Sequence, residues 1–258
     1  MPVLAIAAGI AAGVFVLTTT GVGVRLAWMA RRAPSSPEFL LGSGMVVIGL
    51  LGYPLGLVSG LGRGSMAEVS IPVWLASFVA IDVGLLCIYG FTWRVFRPDA
   101  AWARSLVAAA GVLLAGVTLG QLHALVSAPP EASSADVSLP WTLPFLVGSA
   151  TCFLWTGIES GVQHRMARRR VAVGLGNPVV ANRFVLWAVF GAAATVINLA
   201  SAVSLAMGVH GGSSPAVQLT TGVCGAVAAG AIYLACVPPD WYLARVRGAA
   251  ATPVAGPA

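Results

Sequence analysis

The chain has 258 residues, of which 58% are hydrophobic and only 9% charged, with a mean hydropathy of +0.91 and a net charge of +6. A water-soluble domain clothes itself in roughly 25% charged residues, so this composition excludes one and points to a chain dissolved in lipid. A spanning helix needs about 20 apolar residues. Seven such runs occur, at residues 3–24, 39–62, 71–93, 105–128, 139–158, 184–208 and 217–237. They predict an all-α, polytopic membrane domain over residues 1–247 with a disordered tail at 248–258 and no soluble enzyme attached.

The first run has no basic residue before it, is too long for a signal peptide and ends without a convincing A-x-A site, so it reads as an uncleaved helix. Arg25, Arg31 and Arg32 follow it, which places its N-terminus outside. Glycines at 9 and 13 predict a small-residue face on this helix, as Gly52, Gly56 and Gly60 do on the second and Gly116 and Gly120 on the fourth; such faces let helices approach closely in lipid. Pro54 should kink the second helix and free a backbone carbonyl. Pairs of capping residue and proline mark helix starts at Ser36-Pro37-Glu38, Ser70-Ile71-Pro72, Asn177-Pro178 and Ser214-Pro215, the arrangement a helix N-terminus prefers. Glu38 reads as a first-turn carboxylate satisfied by the helix dipole.

The longest basic run, Gln163 to Arg170 and on to Arg183, separates the fifth and sixth helices. All 14 positive side chains are arginine, and in an up-and-down arrangement 13 of them fall on one side, with Arg63 alone opposite. The positive-inside rule then orients the chain N-terminus out and C-terminus cytoplasmic. The net charge becomes a cytoplasmic-face charge that attracts anionic lipid headgroups, and nothing supports nucleic-acid binding. Trp28, Trp74, Trp93, Trp102, Trp141 and Trp241 lie near helix ends, as an interfacial belt requires, whereas Trp155 is deep in the fifth run. Pro238-Pro239 stops the seventh helix, and residues 240–247 suit a short helix along the interface. Cys87, Cys152, Cys224 and Cys236 fall inside helices with no C-x-x-C pair, so neither a disulfide framework nor a zinc site is expected.

An offset of 141 maps Pro37 on Pro178, Gly84 on Gly225, Pro98-Asp99 on Pro239-Asp240 and Ala103-Arg104 on Ala244-Arg245. Two readings are open: a parallel repeat of residues 1–104 and 142–245 joined by the fourth helix, as in some transporters, or chance matching of basic loops of equal length. The resulting 3+1+3 arrangement resembles, in topology, SWEET-type sugar carriers, microbial rhodopsins and seven-helix receptors. The lysine that holds retinal in rhodopsins is absent. So are the Pro-Gln pair of PQ-loop carriers and the acidic-Arg-Tyr motif of receptors, where Thr92-Trp93-Arg94 stands. No functional residue is carried over.

Asp82 is the one carboxylate deep in a run, about 16 Å from Ile71 at 1.5 Å per residue. It must be neutral, paired or hydrated. Tyr53, Thr118, Gln121, Asn198 and Thr221 (beside Thr220) count to similar depth, so an outward-open polar pocket between the second, third, sixth and seventh helices is expected, with Asp82 bonded to Tyr53 or Asn198. Such a pocket suits a small, even cationic, ligand or a proton; the bland alternative is one interhelical hydrogen bond. Glu159 could latch the cytoplasmic ends through Arg94 or Arg183, or form a permanent interfacial salt bridge. His164 lies too far from His123 and His210 to share a metal, and those two, even if close outside, lack the carboxylate that would complete a site. No catalytic motif occurs, so neither enzyme activity nor a cofactor is expected. Three functions stay open: a receptor-like sensor signalling through a separate cytoplasmic protein, a small-molecule carrier, and a membrane scaffold. Rich Ala, Gly and Arg usage without Lys suggests a GC-rich bacterial genome and hence a bacterial cytoplasmic membrane.

Overall fold

A computed structural model describes residues 2–32, 36–62, 64–207 and 215–251; Arg63, His210, Ser214 and residues 252–258 lie outside them. Every regular element among the described residues is helical, and seven helices are long and apolar enough to cross a membrane. They are α1 (Pro2–Ala30), the α2–α3 pair (Pro37–Val46 and Tyr53–Val58), α4 (Ile71–Phe96), α5 (Ala101–Ser127), α6 (Ser134–Ala172), α7 (Pro178–Ala206) and α8 (Pro215–Cys236). The chain is a multi-pass membrane protein. A short α9 (Asp240–Ala251) follows, longer than the predicted 240–247, so the helix extends into the expected tail.

Neighbours in sequence are neighbours in space, and contact between α1 and α8 closes the ring, while α4 also touches α6 across it. Consecutive helices run antiparallel: Thr20 faces Gly49, Gly44 faces Gly84, Asp82 meets Thr118, and Gly157 meets Gly191. The parallel pair α4 and α6 joins Thr92 to Thr156 and Arg97 to Glu159. This alternation gathers the 13 arginines other than Arg63 at one end of the bundle. Two expected caps form, with Ser36 Oγ accepting from Phe39 N–H and Asn177 Oδ1 from Val179 N–H. Ser70 makes no side-chain cap.

The close helix contacts are glycine-made, and the glycines the spacing suggested supply some of them: Gly120 faces Trp141 of α6, while Gly60 lies past the end of α3 at φ +80. A Cβ on Gly9, Gly13 or Gly116 would meet nothing within 4 Å. On Gly42 it would lie 2.7 Å from Gly23 O, on Gly44 2.8 Å from Gly84 O, and on Gly191 2.7 Å from Gly157 Cα. Gly52 and Gly56 do face α4, at Ile81 and Ser77. Sequence spacing finds stripes of small residues; it cannot say which stripe has a partner.

Pro54 produces a local π turn (Val47–Gly52) between α2 and α3. Proline cannot donate to the helix ladder, and widening the preceding turn to five-back bonding, as Tyr53 N–H to Ile48 O, absorbs the mismatch. Ser77 Oγ donates to Gly52 O at 2.7 Å, a second donor for this disturbed backbone.

The fifth span departs most from expectation. The apolar run predicts residues 139–158, yet α6 covers 39 residues, about 58 Å at 1.5 Å per residue, against a hydrocarbon core of about 30 Å. Ser133 caps it early by accepting from Asp136 N–H. At the other end the Gln163–Arg170 stretch, rich in good helix formers, is the last turns of the helix and not a loop. Gly174 at φ +75 ends it, with Leu175 N–H donating to Arg170 O at 2.9 Å, a left-handed stop suited to glycine.

At the opposite end, residues 64–67 are stitched to residues 130–134. Met66 N–H donates to Ala132 O at 2.9 Å, Ala67 N–H to Pro130 O at 3.0 Å, and Ser134 Oγ to Gly64 O at 2.8 Å. Met66, Trp74 and Leu125 form a small core beneath this seam. Trp74 is therefore buried and leaves the expected belt, as the seam covers its ring.

Candidate functional site

Three polar arrangements emerge, and they are separate. The first borders a cavity of about 250 Å³ inside the bundle, walled by α1, α2–α3, α4, α6 and α7. Its surface is mostly Phe15, Ile81, Phe145, Phe153 and Phe190, with Thr19, Tyr53, Ser149 and Asn198 as the polar exceptions. The π turn contributes Ile48 to the wall and sets Gly49 against Thr20. Phe190 holds the wall's far side through ring contacts with Phe15 at 6.5 Å and Phe153 at 5.8 Å. Two polar groups are already engaged by their own helices: Thr19 Oγ1 donates to Phe15 O, and Asn198 Nδ2 to Ala194 O, each at 2.8 Å. The cavity is thus apolar with a few hydrogen-bonding groups, the usual character of a small-molecule site. It differs from the expected pocket, since α8 supplies no lining residue and no carboxylate faces it.

The second arrangement is the α4–α5 seam. Thr118 Oγ1 donates to Asp82 Oδ2 at 2.7 Å, so the partner of Asp82 is Thr118 and not Tyr53 or Asn198. The reason is register: the antiparallel helices put Thr118 level with Asp82, while Tyr53 and Asn198 turn to the cavity wall. Gln121, one turn along α5 from Thr118, is buried as well. Thr221 sits half-buried on α8 and joins neither group. Among the expected pocket residues, then, Asp82 and Thr118 meet, Gln121 is buried one turn along α5, and Tyr53 and Asn198 share the cavity wall.

The third lies at the arginine-rich end. Glu159 is 4% exposed, and its Oε1 accepts from Arg97 Nε at 2.9 Å. The hydrogen bond, then the carboxylate charge, raises the Arg97 guanidinium above its ordinary range. Arg97 was hidden from sequence reasoning because it caps α4 just past the apolar run. Its non-helical backbone (φ −141, ψ 47) marks that cap, where α4 ends. The expected partners Arg94 and Arg183 are not the ones that close this pair. Between this pair and the seam, α4 and α6 are joined by Tyr89 Oη to Gly148 O at 2.8 Å and by Thr92 with Thr156 at 2.7 Å. His164 Nδ1–H donates to Ala181 O at 2.7 Å, tying α6 to α7. Reversing either charge, Arg97→Glu or Glu159→Arg, is expected to lower the thermal midpoint, and the double reversal to recover most of the loss. A double variant no better than the worse single one would show that the pair does not couple the helices.

No group of three or more His, Cys, Asp or Glu side chains able to hold a metal occurs among the described residues. The four cysteines are free. Fold and sites together define a seven-span, all-α membrane protein with an internal apolar cavity. Compared with protein-family models, curated proteins and solved structures, the chain matches none.

Proposed function

We propose that the protein is a receptor-like membrane sensor that binds a small, mostly apolar molecule in its central cavity and signals through a separate cytoplasmic protein. The carrying observation is the cavity itself, about 250 Å³ and walled mostly by aromatic and aliphatic side chains. Its aromatic and aliphatic walls favour a neutral ligand with one or two polar groups over the cationic one that a carboxylate-centred pocket would take. The adjoining π turn supports the reading, because such turns concentrate at functional sites. In the proposed orientation the N-terminus is outside and the arginine end faces the cytoplasm, following the positive-inside rule. The exposed arginines of α6 would then stand beside anionic headgroups and present a basic face to an acidic partner.

The test is a thermal-shift screen of the detergent-purified protein against neutral molecules of about 10–15 heavy atoms, a size suited to small-ligand sites. A ligand at 100 times its dissociation constant adds about 2.7 kcal/mol of stability. Ala194→Phe, which fills the cavity from its buried wall, is expected to fold and to lose the shift. A shift retained by Ala194→Phe, or no shift from any compound in the parent protein, would refute the cavity as the sensing site.

A carrier is the second reading, favoured by a symmetry of packing. If the first three spans correspond to the last three, contact between α1 and α8 corresponds to contact between α4 and α6, and both occur. Parallel repeats of this kind serve alternating access in known transporters. Uptake of the screened ligand into liposomes would favour the carrier; crosslinking of a cytoplasmic partner without uptake favours the sensor.

A further inference from the structure

Buried polar atoms without a partner are rare, because each bears a desolvation penalty that nothing recovers. In a bilayer no bulk water is at hand to help. Helices α4 and α5 carry two such acceptors, one at the Asp82–Thr118 contact and one a turn further along α5. Asp82 is 8% exposed, and its Oδ1 has no hydrogen-bond partner, while Oδ2 accepts from Thr118. Gln121 is 1% exposed, and its Oε1 has none either.

Helix geometry converges the two. Gln121 lies three residues beyond Thr118 and so shares its face of α5. Helical side chains lean toward the N-terminus of their own helix. Because α4 and α5 are antiparallel, Asp82 leans toward the end of the bundle where Met66 lies, and Gln121 leans back toward the level of Asp82. The Thr118 hydroxyl donates its proton to Oδ2 and keeps lone pairs free. The seam therefore collects a carboxylate, an amide carbonyl and a hydroxyl oxygen, a donor set for hard cations. No salt bridge reaches Asp82 among the described residues.

We infer that Asp82, Thr118 and Gln121 form an intramembrane site for a small monovalent cation of the alkali type. One positive charge neutralises the single carboxylate, whereas a divalent ion would leave net charge in hydrocarbon. The site is distinct from the central cavity but backs onto it, since Ile81 and Leu85 on α4 line the cavity. The inference does not depend on the cavity binding a ligand.

The experiment is thermal unfolding of the full-length protein in detergent at fixed pH and ionic strength, with choline chloride exchanged stepwise for sodium chloride. The parent protein is expected to show a saturable rise, roughly 5–10 °C at 100 times the dissociation constant. Asp82→Asn removes the rise, and Gln121→Leu weakens apparent sodium affinity by about tenfold, the loss of one ligand contact. Radioactive sodium should bind the parent protein at one ion per chain. Should Asp82→Asn fail to fold, Gln121→Leu and Thr118→Val carry the comparison. Equal midpoints in sodium and choline overturn the proposal, as does a sodium shift that survives these substitutions. A midpoint that follows pH but ignores sodium also overturns it and gives the orphan oxygen to a proton.

Discussion

Gly191→Leu is expected to be the most damaging single substitution on the α6–α7 face, lowering stability by at least about 3 kcal/mol. A Cβ at this position would lie 2.7 Å from Phe153 O, 2.7 Å from Gly157 Cα and 2.8 Å from Gly157 N. All three are backbone atoms, so no side chain can rotate away and the helices must separate. Separation would also strain the His164–Ala181 hydrogen bond and the Phe153–Phe190 contact on the same interface. The cavity wall would shift with them, because Phe153 and Phe190 both line it. Gly13→Leu is the control: it meets nothing within 4 Å, and its effect should stay within about 0.5 kcal/mol. Denaturant titration of both variants, purified in the same detergent, gives the comparison. Equal stability would mean that α6 and α7 do not meet through Gly191.

The same contrast explains what could be read from the residues. Apolar runs and proline-marked starts located all seven spans, because the bilayer imposes one strong rule on length and composition. The ends were less legible wherever a helix continued through polar sequence. The basic run after Glu159 reads as a loop by hydropathy, yet its residues are good helix formers and Gly174 supplies the stop. Trp74 reads as an interfacial residue until a loop 60 residues further along covers it, a contact that no local pattern encodes.

The candidate sites were legible as ingredients and not as partners. Asp82, Thr118 and Gln121 could be placed at one depth by counting, but the partner of Asp82 depends on the rotation of α4 and α5. Glu159 was visible as a carboxylate at a helix end; Arg97 was not, since it sits beyond the apolar run. The cavity was illegible for a further reason. Its walls are phenylalanines and aliphatic side chains that look like any lipid-facing or core residue, and its volume arises where five spans fail to fill the space between them.

Trp155 gives the second large expected effect and separates packing from polarity. It is 7% exposed, with ring contacts to Tyr89 of α4 at 6.1 Å and to Trp102 of α5 at 5.8 Å, so one side chain joins three helices. Trp155→Ala should lower stability by about 3–5 kcal/mol, the range for deleting a buried large aromatic. Its indole Nε1 is buried without a partner, however, and an unsatisfied buried donor costs about 1–3 kcal/mol. Trp155→Phe removes that donor along with part of the ring, and the two effects oppose each other. The phenylalanine variant should therefore stay within about 1 kcal/mol of the parent protein. Chemical denaturation of the three proteins decides it: a Phe variant as unstable as the Ala variant would mean that the indole N–H has a partner, a bound water included. Trp155 also lies one turn before Glu159 on the same face of α6. A shift of α6 against α4 that opens the Arg97–Glu159 pair would also disturb the Tyr89–Trp155–Trp102 contacts, and tryptophan fluorescence should report it.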